Sequence, residues 1–280
     1  FLSGCNKNAS IITGTGNSYY NRLLSSIGKK EDIEVIRFNH GGERCFYDDP
    51  HFWENGDLFQ TNKYVTYGKK WKIWLEKIVK NSGNKITIKS IGSDYHKKIY
   101  NKFFNKKIQR NKKILYIPNS FIGEIRVFPF AKLIDPILFD WQKYLIGVLQ
   151  KNGFDVIYKK HPKGFLHEEN FLGELATYQS TKPMLEALED ADMVLCDMAG
   201  SAFTESLCAG KNIVLIDTLQ RPFDFSSMED LQGAVKIIDA YWEENTLMID
   251  EKKLIDAFTN FDINKENMKK VVKDYYLSSE

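Results

Sequence analysis

The sequence predicts an α/β protein of two domains, each built on a parallel β-sheet. Short apolar runs that are typical of buried parallel strands, such as residues 154–158 and 193–196, alternate with helical segments. Strand, helix and strand in this order give right-handed crossovers, which place neighbouring strands parallel. The chain has 280 residues, which is enough for two domains with separate cores.

The first half of the sequence predicts an α/β domain. Strands are expected over residues 9–13, 34–38, 64–66 and 85–89, and helices over residues 18–27 and 69–81. A Lys-rich helix or linker continues to residue 113, and we place the domain boundary near Lys112, which gives domains of residues 1–112 and 113–280. Because the chain begins with Phe1 and not with Met, we expect a piece of a longer protein whose amino-terminal domain is incomplete here.

The second half has clearer starts and stops. Strands are predicted over residues 114–117, 154–158, 193–196 and 213–216, and helices over residues 140–152, 182–190 and 202–209. Gly153 and Gly210 directly follow two of these helices, where a glycine is expected. Pro183 lies in the first turn of another helix, where its missing N–H costs nothing.

Composition and charge exclude several classes of protein. A hydrophobic share of 43% with 27% charged residues is ordinary for a globular protein, and a net charge of +2 is too small to predict nucleic-acid binding. No apolar run approaches the roughly 18 residues of a membrane span. The cysteines lack CxxC spacing, so we predict neither a zinc site nor disulfides but reduced thiols in a cytoplasmic protein. They are Cys5, Cys45, Cys196 and Cys208.

Polar residues follow two of the strands predicted for the second domain. Lys160, His161 and Pro162 follow the first, and the second is followed by Asp197, Gly200, Ser201, Thr204 and Glu205. Parallel strands end at one edge of the sheet, where open α/β folds bind ligands. Lys160 and His161 offer positive charge, while a helix that opens at Gly200 and Ser201 favours an anion through its amides and dipole. We therefore expect a cradle for a diphosphate or a phosphodiester.

Three further residues complete this candidate pocket. Glu205 lies one turn into its helix, where a carboxylate accepts two hydrogen bonds from ribose hydroxyls. Asn119 and Ser120 end the first strand of the domain and supply a third wall. Ordinary readings stay open: a solvated helix residue for Glu205, turn chemistry for Asn119 and Ser120, and an extended strand exit for His161 before proline.

The predicted order is strand, Lys-x-His-Pro, helix, strand, Asp-x-x-Gly-Ser and a helix with Glu. This order resembles the nucleotide-binding domain of GT-B glycosyltransferases that build bacterial surface polysaccharides. It is most similar to CMP-sugar enzymes with a His-Pro motif, namely capsule and O-antigen Kdo transferases and bacterial sialyltransferases, and to CDP-glycerol glycerophosphotransferases. The similarity covers residues 114–218, with weaker matches at residues 38–42 and 64–68. It implies two Rossmann-like domains facing a cleft, a nucleotide-sugar donor and a glycan or glycolipid acceptor.

The resemblance also implies a catalytic base in the first domain. In the glycerophosphotransferases a His-Gly after an amino-domain strand supplies this base, and His40 has that place here. A histidine of pKa near ~6.5 on a glycine-rich loop can take a proton from an acceptor hydroxyl. A loop histidine bonded to backbone is the alternative, and nearby acids stay open as base or as the nucleophile of a retaining enzyme. These acids are Glu43, Asp48, Asp49 and Asp57.

The acceptor side is expected to be formed by loop residues of the first domain, namely Gly14, Gly16, Gly41, Gly42 and Arg44. Gly14 and Gly16 follow a strand as in a dinucleotide loop, but the third glycine is absent, so we interpret them as a close-approach turn lining the cleft.

A metal site is not expected. Asp190 and Asp192 have the DxD spacing of metal-dependent glycosyltransferases, but they precede their strand and so belong to the opposite edge of the sheet. Lys160, His161 and the helix start could instead balance a leaving phosphate. We therefore predict no metal and no other cofactor.

Two basic segments raise the question of a membrane. The helix over residues 69–81 has Trp71, Trp74, Leu75 and Ile78 on one stripe, which either packs on the core, as favoured here, or lies on an anionic membrane. Residues 97–113 are either a solvated face or guide an acidic or lipid-linked acceptor. We expect a cytoplasmic protein, with peripheral contact with the inner membrane as an alternative.

Together these observations predict a glycosyltransferase that moves a sugar from a nucleotide donor, with a CMP-sugar such as CMP-Kdo favoured, to a capsule, O-antigen or lipopolysaccharide acceptor. Three alternatives stay open: a CDP-polyol phosphotransferase, a UDP-sugar 2-epimerase-like enzyme and a non-catalytic glycan-binding protein. The fold alone does not choose among them.

Overall fold

Separate parallel sheets organise the two halves of the chain, as the sequence predicts. The computed structural model describes residues 9–16, 18–49, 54–107, 112–121, 133–161, 171–191, 193–260 and 263–278. The first folding unit extends to Lys97 and takes in the segment from Lys270 onward, and the second unit comprises Lys98–Lys269.

The sheet of the first unit consists of parallel strands in the order β1-β2-β3-β4. Their bounds are Ser10–Thr13, Glu34–Phe38, Lys63–Thr66 and Thr87–Ser90. The helices are α1 Tyr19–Lys30, α2 Lys69–Ser82 and α3 Asp94–Phe103. Trp71, Leu75 and Ile78 of α2 are buried and Trp74 is partly buried, so the apolar stripe packs on the core.

The sheet of the second unit is parallel in the order β10-β9-β8-β5-β6-β7. In chain order, β5 to β10 are Lys113–Ile117, Asp155–Lys159, Tyr178–Ser180, Met193–Cys196, Asn212–Asp217 and Lys236–Asp239. Numbered within the unit, this is the 3-2-1-4-5-6 order of a Rossmann sheet. The order reverses between β5 and β8, and such a switch point opens a crevice at the edge where the strands end.

Helices connect these strands, and a small hairpin follows them. Helices α4 to α10 are Asp135–Lys151, Phe171–Leu175, Met184–Asp190, Ser201–Cys208, Phe225–Leu231, Glu251–Thr259 and Lys265–Val272. The antiparallel hairpin pairs β11 Tyr241–Glu243 with β12 Thr246–Met248. The sequence-based prediction starts this helix at residue 140, five residues later than the structure does. Pro136 lies in the first turn of the helix, where proline is typical, but the prediction did not take it as a start signal.

The carboxyl-terminal segment differs from the sequence-based division, which assigns all of residues 113–280 to one domain. A π-helical turn, Lys273–Leu277, packs in the first unit, with Tyr275 against Phe46 and Tyr276 against His96. Tyr275 and Tyr276 are both buried there. Burial of these two aromatic rings explains why the carboxyl-terminal segment packs in the first unit. The two tyrosines carry no local sequence signal that would predict their contacts with Phe46 and His96.

A buried polar cluster holds the loops of the first unit. Arg37 is fully buried, and its guanidinium donates to the carbonyls of Gly56 and Asp57 at 3.1 and 3.0 Å. The Asp57 carboxylate, also fully buried, accepts from the Gly16 N–H at 2.7 Å and pairs with Arg44 at 3.1 Å. Because buried charges are costly unless they are paired and hydrogen-bonded, this arrangement fixes the turn after β1 against residues 55–57.

This packing yields a prediction for the two glycines after β1. A Cβ on Gly16 would overlap Arg37 Nη1 and the Gly56 carbonyl, whereas a Cβ on Gly14 meets nothing within 4 Å. We expect Gly16→Ala to lower the free energy of unfolding by about 1–3 kcal/mol, as overpacked sites do, and Gly14→Ala to change it little. Urea denaturation of both variants checks this, and equal stabilities would contradict the close approach at Gly16.

Candidate functional site

The buried side chain of Asp197 lies at the switch point and joins its two central strands. Asp197 follows β8, and its carboxyl oxygens accept hydrogen bonds from β5 and the loop after it: one from the Tyr116 hydroxyl at 2.9 Å and one from the Asn119 backbone N–H. Burial raises the pKa of Asp197 to about 7, although both hydrogen bonds act to lower it. The side chain is 1% exposed, so it forms the floor of the crevice and is not itself a contact for a ligand.

Further hydrogen bonds hold the loop after β5. The Asn119 carbonyl accepts from Gln142 Nε2 at 2.8 Å, and Gln142 Oε1 accepts from the Tyr158 hydroxyl at 2.9 Å. On the other side, Asn119 Nδ2 donates to Gln220 Oε1 at 3.4 Å. These partners come from α4, β6 and the loop after β9, so the Asn119 backbone is fixed from several elements while Ser120 stays partly exposed. Sequence reasoning did not find Gln142, Tyr158 or Gln220.

Positive charge gathers where β6 ends. Lys160 is partly buried and His161 is exposed just after the strand, while Pro162 lies outside the described residues. Lys159, the last residue of β6, is half-buried; burial lowers its pKa, and the nearby Glu205 carboxylate of α7 opposes that shift. Glu205 therefore lies close enough to Lys159 to act on its charge. The sequence analysis ends this strand at residue 158 and does not assign Lys159 to the pocket, whereas the structure makes Lys159 the last residue of β6.

Helix α7 begins at this edge of the sheet. Its N-cap is Gly200, which has no side chain to cover the helix start, and Ser201 at the first position is exposed. An uncovered helix start is suited to an anion. Thr204 differs from expectation: it is 1% exposed and its hydroxyl donates to the Ser201 carbonyl at 2.8 Å, so it packs inward and does not line the crevice.

In the first unit, His40 projects from a short loop after β2. We call residues 39–43 the His40 loop. His40 is exposed, whereas its neighbour Asn39 is buried and is held by two tyrosine hydroxyls: Tyr67 donates to the Asn39 carbonyl at 3.1 Å and Tyr64 to Oδ1 at 3.2 Å. Gly41 has φ +79°, a conformation that favours glycine. The Glu43 carboxylate accepts from the Gly42 N–H at 2.6 Å, which closes the loop.

The remaining predicted residues of the first unit divide into exposed and structural groups. Asp48 is exposed and Asp49 is partly buried. Arg44 and Asp57 form the ion pair described above, so their side chains hold the fold, which corrects the expectations that Arg44 faces an acceptor and that Asp57 is a catalytic acid. Gly14 is exposed after β1, at the same sheet edge as His40.

The described residues contain no group of three His, Cys, Asp or Glu side chains that could hold a metal ion. Asp190, at the end of α6, pairs with Lys182 at 2.8 Å, and Asp192 lies outside the described residues. Cys45, Cys196 and Cys208 are buried. In the same part of the chain, no helix is both long and apolar enough to cross a membrane.

A cavity of about 1040 Å³ lies away from this edge site. It is bounded by β10, the β11–β12 hairpin and α9, and it contains none of the residues singled out above. Its polar lining residues, such as Lys236, Asp239 and Lys253, are exposed to solvent. The edge at the switch point is the better candidate because the basic residues after β6 and the start of α7 lie at the same edge of one parallel sheet.

The sequence and the structure were compared with those of known proteins. No protein-family model matches the sequence, and no curated protein is similar to it. Solved structures do match. A putative UDP-N-acetylglucosamine 2-epimerase from Listeria monocytogenes has a TM-score of 0.54 at 12% identity, over 95% of this chain and 69% of that one.

Two plant proteins are similar to a comparable extent. Arabidopsis thaliana UGT89C1, complexed with UDP, has a TM-score of 0.53 at 13% identity, over 98% of this chain and 68% of that one. Os79 from O. sativa, also in complex with UDP, has a TM-score of 0.52 at 11% identity, over 91% and 71%. The chain has the GT-B fold. At these identities the similarity establishes the GT-B fold and nothing finer.

The buried carboxyl group gives a prediction about pH. Because burial raises the pKa of Asp197 from its ordinary 3.8 to about 7, the folded state favours the protonated form. That stabilisation is complete below pH ~4 and is lost as pH rises through 7, by about 1.4 kcal/mol for each unit of pKa difference. Asp197→Asn stays neutral, so its stability relative to wild type should rise between pH 4 and 8. Parallel urea titrations test this, and a constant difference would contradict it.

Proposed function

We propose that this GT-B protein is a glycosyltransferase that moves a sugar from a CMP-sugar, such as CMP-Kdo, to a bacterial capsule, O-antigen or lipopolysaccharide acceptor. The observation that carries the proposal is the convergence of Lys159, Lys160 and His161 with the start of α7 at the switch point of a Rossmann sheet. Such a site suits the phosphate of a nucleotide. The resemblance of the His-Pro and Asp-x-x-Gly-Ser motifs to CMP-sugar enzymes supports the donor class.

The positive groups favour one leaving phosphate. Lys160 and His161 follow β6, and α7 begins at the same edge of the sheet with Gly200 as its N-cap, while the Glu205 carboxylate acts electrostatically on Lys159. This small number of cationic groups suits the phosphodiester of a CMP-sugar at least as well as a diphosphate. As the bond between the anomeric carbon and phosphate oxygen breaks, these groups balance the charge that develops on CMP, so that the reaction does not require a metal.

Glu205 is assigned to the ribose. Its carboxylate acts electrostatically on Lys159 at the end of β6, which supports a place near this edge of the sheet. Ionised carboxylates accept hydrogen bonds from two hydroxyls at once, which matches the 2′ and 3′ hydroxyls of a ribose. Asn119 and Ser120 supply the remaining wall, with the Asn119 backbone held by the Asp197 network.

His40 is assigned to the acceptor. An exposed imidazole on a fixed loop can take the proton of an acceptor hydroxyl as that oxygen attacks the anomeric carbon. This gives inversion at that carbon. If Glu43, Asp48 or Asp49 attacked first, the outcome would be retention. Activated sugars of this kind place the reaction in the cytoplasm, with a glycolipid acceptor at the inner membrane surface.

A second candidate is a UDP-sugar 2-epimerase-like enzyme. The similar Listeria monocytogenes protein is named a putative UDP-N-acetylglucosamine 2-epimerase, and the two plant proteins hold UDP. Such an enzyme would convert its UDP-sugar without any acceptor, whereas the proposed transferase consumes donor only when an acceptor is present.

The donor is tested by incubating the protein with CMP-Kdo, CMP-sialic acid, CDP-glycerol and UDP-N-acetylglucosamine, each with a lipopolysaccharide-type acceptor. We expect free CMP from one of the first two. Release of UDP alone would defeat the donor assignment and leave the fold unaffected. Conversion of the UDP-sugar without acceptor would favour the epimerase, and CMP release from CDP-glycerol would favour the phosphotransferase.

His161→Ala should weaken CMP binding about tenfold to a hundredfold. A charge-assisted contact with phosphate contributes roughly 1.5–3 kcal/mol, and 1.4 kcal/mol corresponds to a factor of ten. Asp190→Asn is the control, because it changes an exposed ion pair with Lys182 outside the candidate site. Calorimetry should show normal CMP affinity for the control. Equal affinities of both variants would remove His161 from the phosphate site.

His40→Ala should lower kcat by 10²–10⁴-fold, the usual contribution of a general base, and leave CMP affinity near wild type. The physical reason is that His40 belongs to the first unit and makes no contact with the nucleotide in this scheme. Steady-state kinetics and calorimetry on the same preparation check both parts. A variant that loses CMP affinity but keeps kcat would reverse the role assigned to His40.

A further inference from the structure

A tyrosine hydroxyl of the carboxyl-terminal segment contacts the candidate catalytic loop. Tyr276 donates a hydrogen bond to the Gly42 carbonyl at 2.8 Å, across 234 positions of sequence. Gly42 lies two residues after His40. We propose that Tyr276 is a positioning residue, whose hydroxyl holds the His40 loop in the geometry that proton transfer requires; this rests on the proposed role of His40.

The Tyr276 ring is itself held firmly. It is fully buried and stacks on the His96 ring with centroids 4.7 Å apart, and its carbonyl accepts from the Ser93 N–H at 2.8 Å. Burial lowers the pKa of His96 to about 4, so this imidazole is neutral at neutral pH and acts as an aromatic wall. The Tyr276 hydroxyl thus projects from a rigid support.

The segment around Tyr276 is anchored at the start of α2. Asp274 pairs with Lys69 at 2.9 Å, and the Ser278 hydroxyl accepts from the Lys69 N–H at 3.1 Å. Gly68 permits this approach, because a Cβ there would overlap the backbone of Asp274 and Tyr275. These contacts hold the backbone on both sides of Tyr276 against the start of α2.

The His40 loop needs a hold on both flanks. Tyr67 and Tyr64 bind Asn39 on the near side, and Tyr276 binds Gly42 on the far side. Between them lies Gly41 with its positive φ, whose lack of a side chain leaves the backbone free to move unless its neighbours are restrained. The Glu43 carboxylate also holds Gly42, through its N–H at 2.6 Å, so loss of the Tyr276 hydrogen bond would weaken the far hold and let His40 shift. A misplacement of about 1 Å can cost on the order of 10²-fold in rate.

The test is Tyr276→Phe, which keeps the ring and removes only the hydroxyl. We expect kcat to fall about tenfold or more, CMP affinity to stay at the wild-type value, and amide exchange of Gly42 to become faster. Tyr144→Phe is the matched control, since it removes a tyrosine hydroxyl that donates to Glu251 at 3.1 Å in the second unit. The control should keep the wild-type kcat.

A double variant separates positioning from packing. If Tyr276 acts through His40, the pair His40→Ala and Tyr276→Phe should be no slower than His40→Ala alone. Multiplied losses, or a wild-type kcat and unchanged Gly42 exchange in Tyr276→Phe, would overturn the proposal. A fully active His40→Ala would instead overturn the assignment of His40 as the base. The exchange rate of the Gly42 amide in Tyr276→Phe would still show whether Tyr276 holds the loop.

Discussion

The buried carboxyl group of Asp197 is the interaction on which the second unit depends. It joins the ends of β5 and β8, the two strands between which the order of the sheet reverses. Without its partners a buried carboxyl would cost several kcal/mol, so the loop after β5 and the turn into α7 must stay where they are. Ser201 follows four residues after Asp197, and the helix start is therefore fixed relative to the floor of the crevice.

In the first unit, other buried polar groups hold the loops that carry the candidate residues. Arg37 and Asp57 form a buried charged cluster that fixes the loop after β1, and tyrosine hydroxyls hold the backbone of the His40 loop. In both units, exposed candidate residues stand on backbone that buried polar groups hold in place. Because these supports hold the site in its reactive geometry in advance, the side chains need not become ordered in each reaction cycle.

Local patterns were sufficient for the strands and for the residues that follow them. The apolar runs located β5, β6, β8 and β9 within a residue or two, and strand ends then located Lys160, His161 and Ser201 at one edge. The same reasoning located His40 after β2. Periodicity and strand termini are properties of neighbouring residues, which is why one sequence reports them.

Contacts between distant segments could not be read in this way. Asp197 and Thr204 looked like ligand contacts because they follow a strand, yet their burial is decided by Tyr116, Asn119 and the helix itself. Tyr276 is 234 positions from Gly42 and sits in a short element with no amphipathic pattern. Such pairings are set by tertiary packing, and no local rule announces them.

A nucleotide site at the switch point is tested most directly by hydrogen exchange mapped along the chain with and without CMP, and then UDP, at saturating concentration. We expect slower amide exchange at the ends of β5 and β6, over residues 117–120 and 159–161, and over residues 198–205 at the start of α7. Protection confined to the cavity beside α9, protection at the opposite edge of the sheet, or no protection by either nucleotide would contradict a nucleotide site at the switch point.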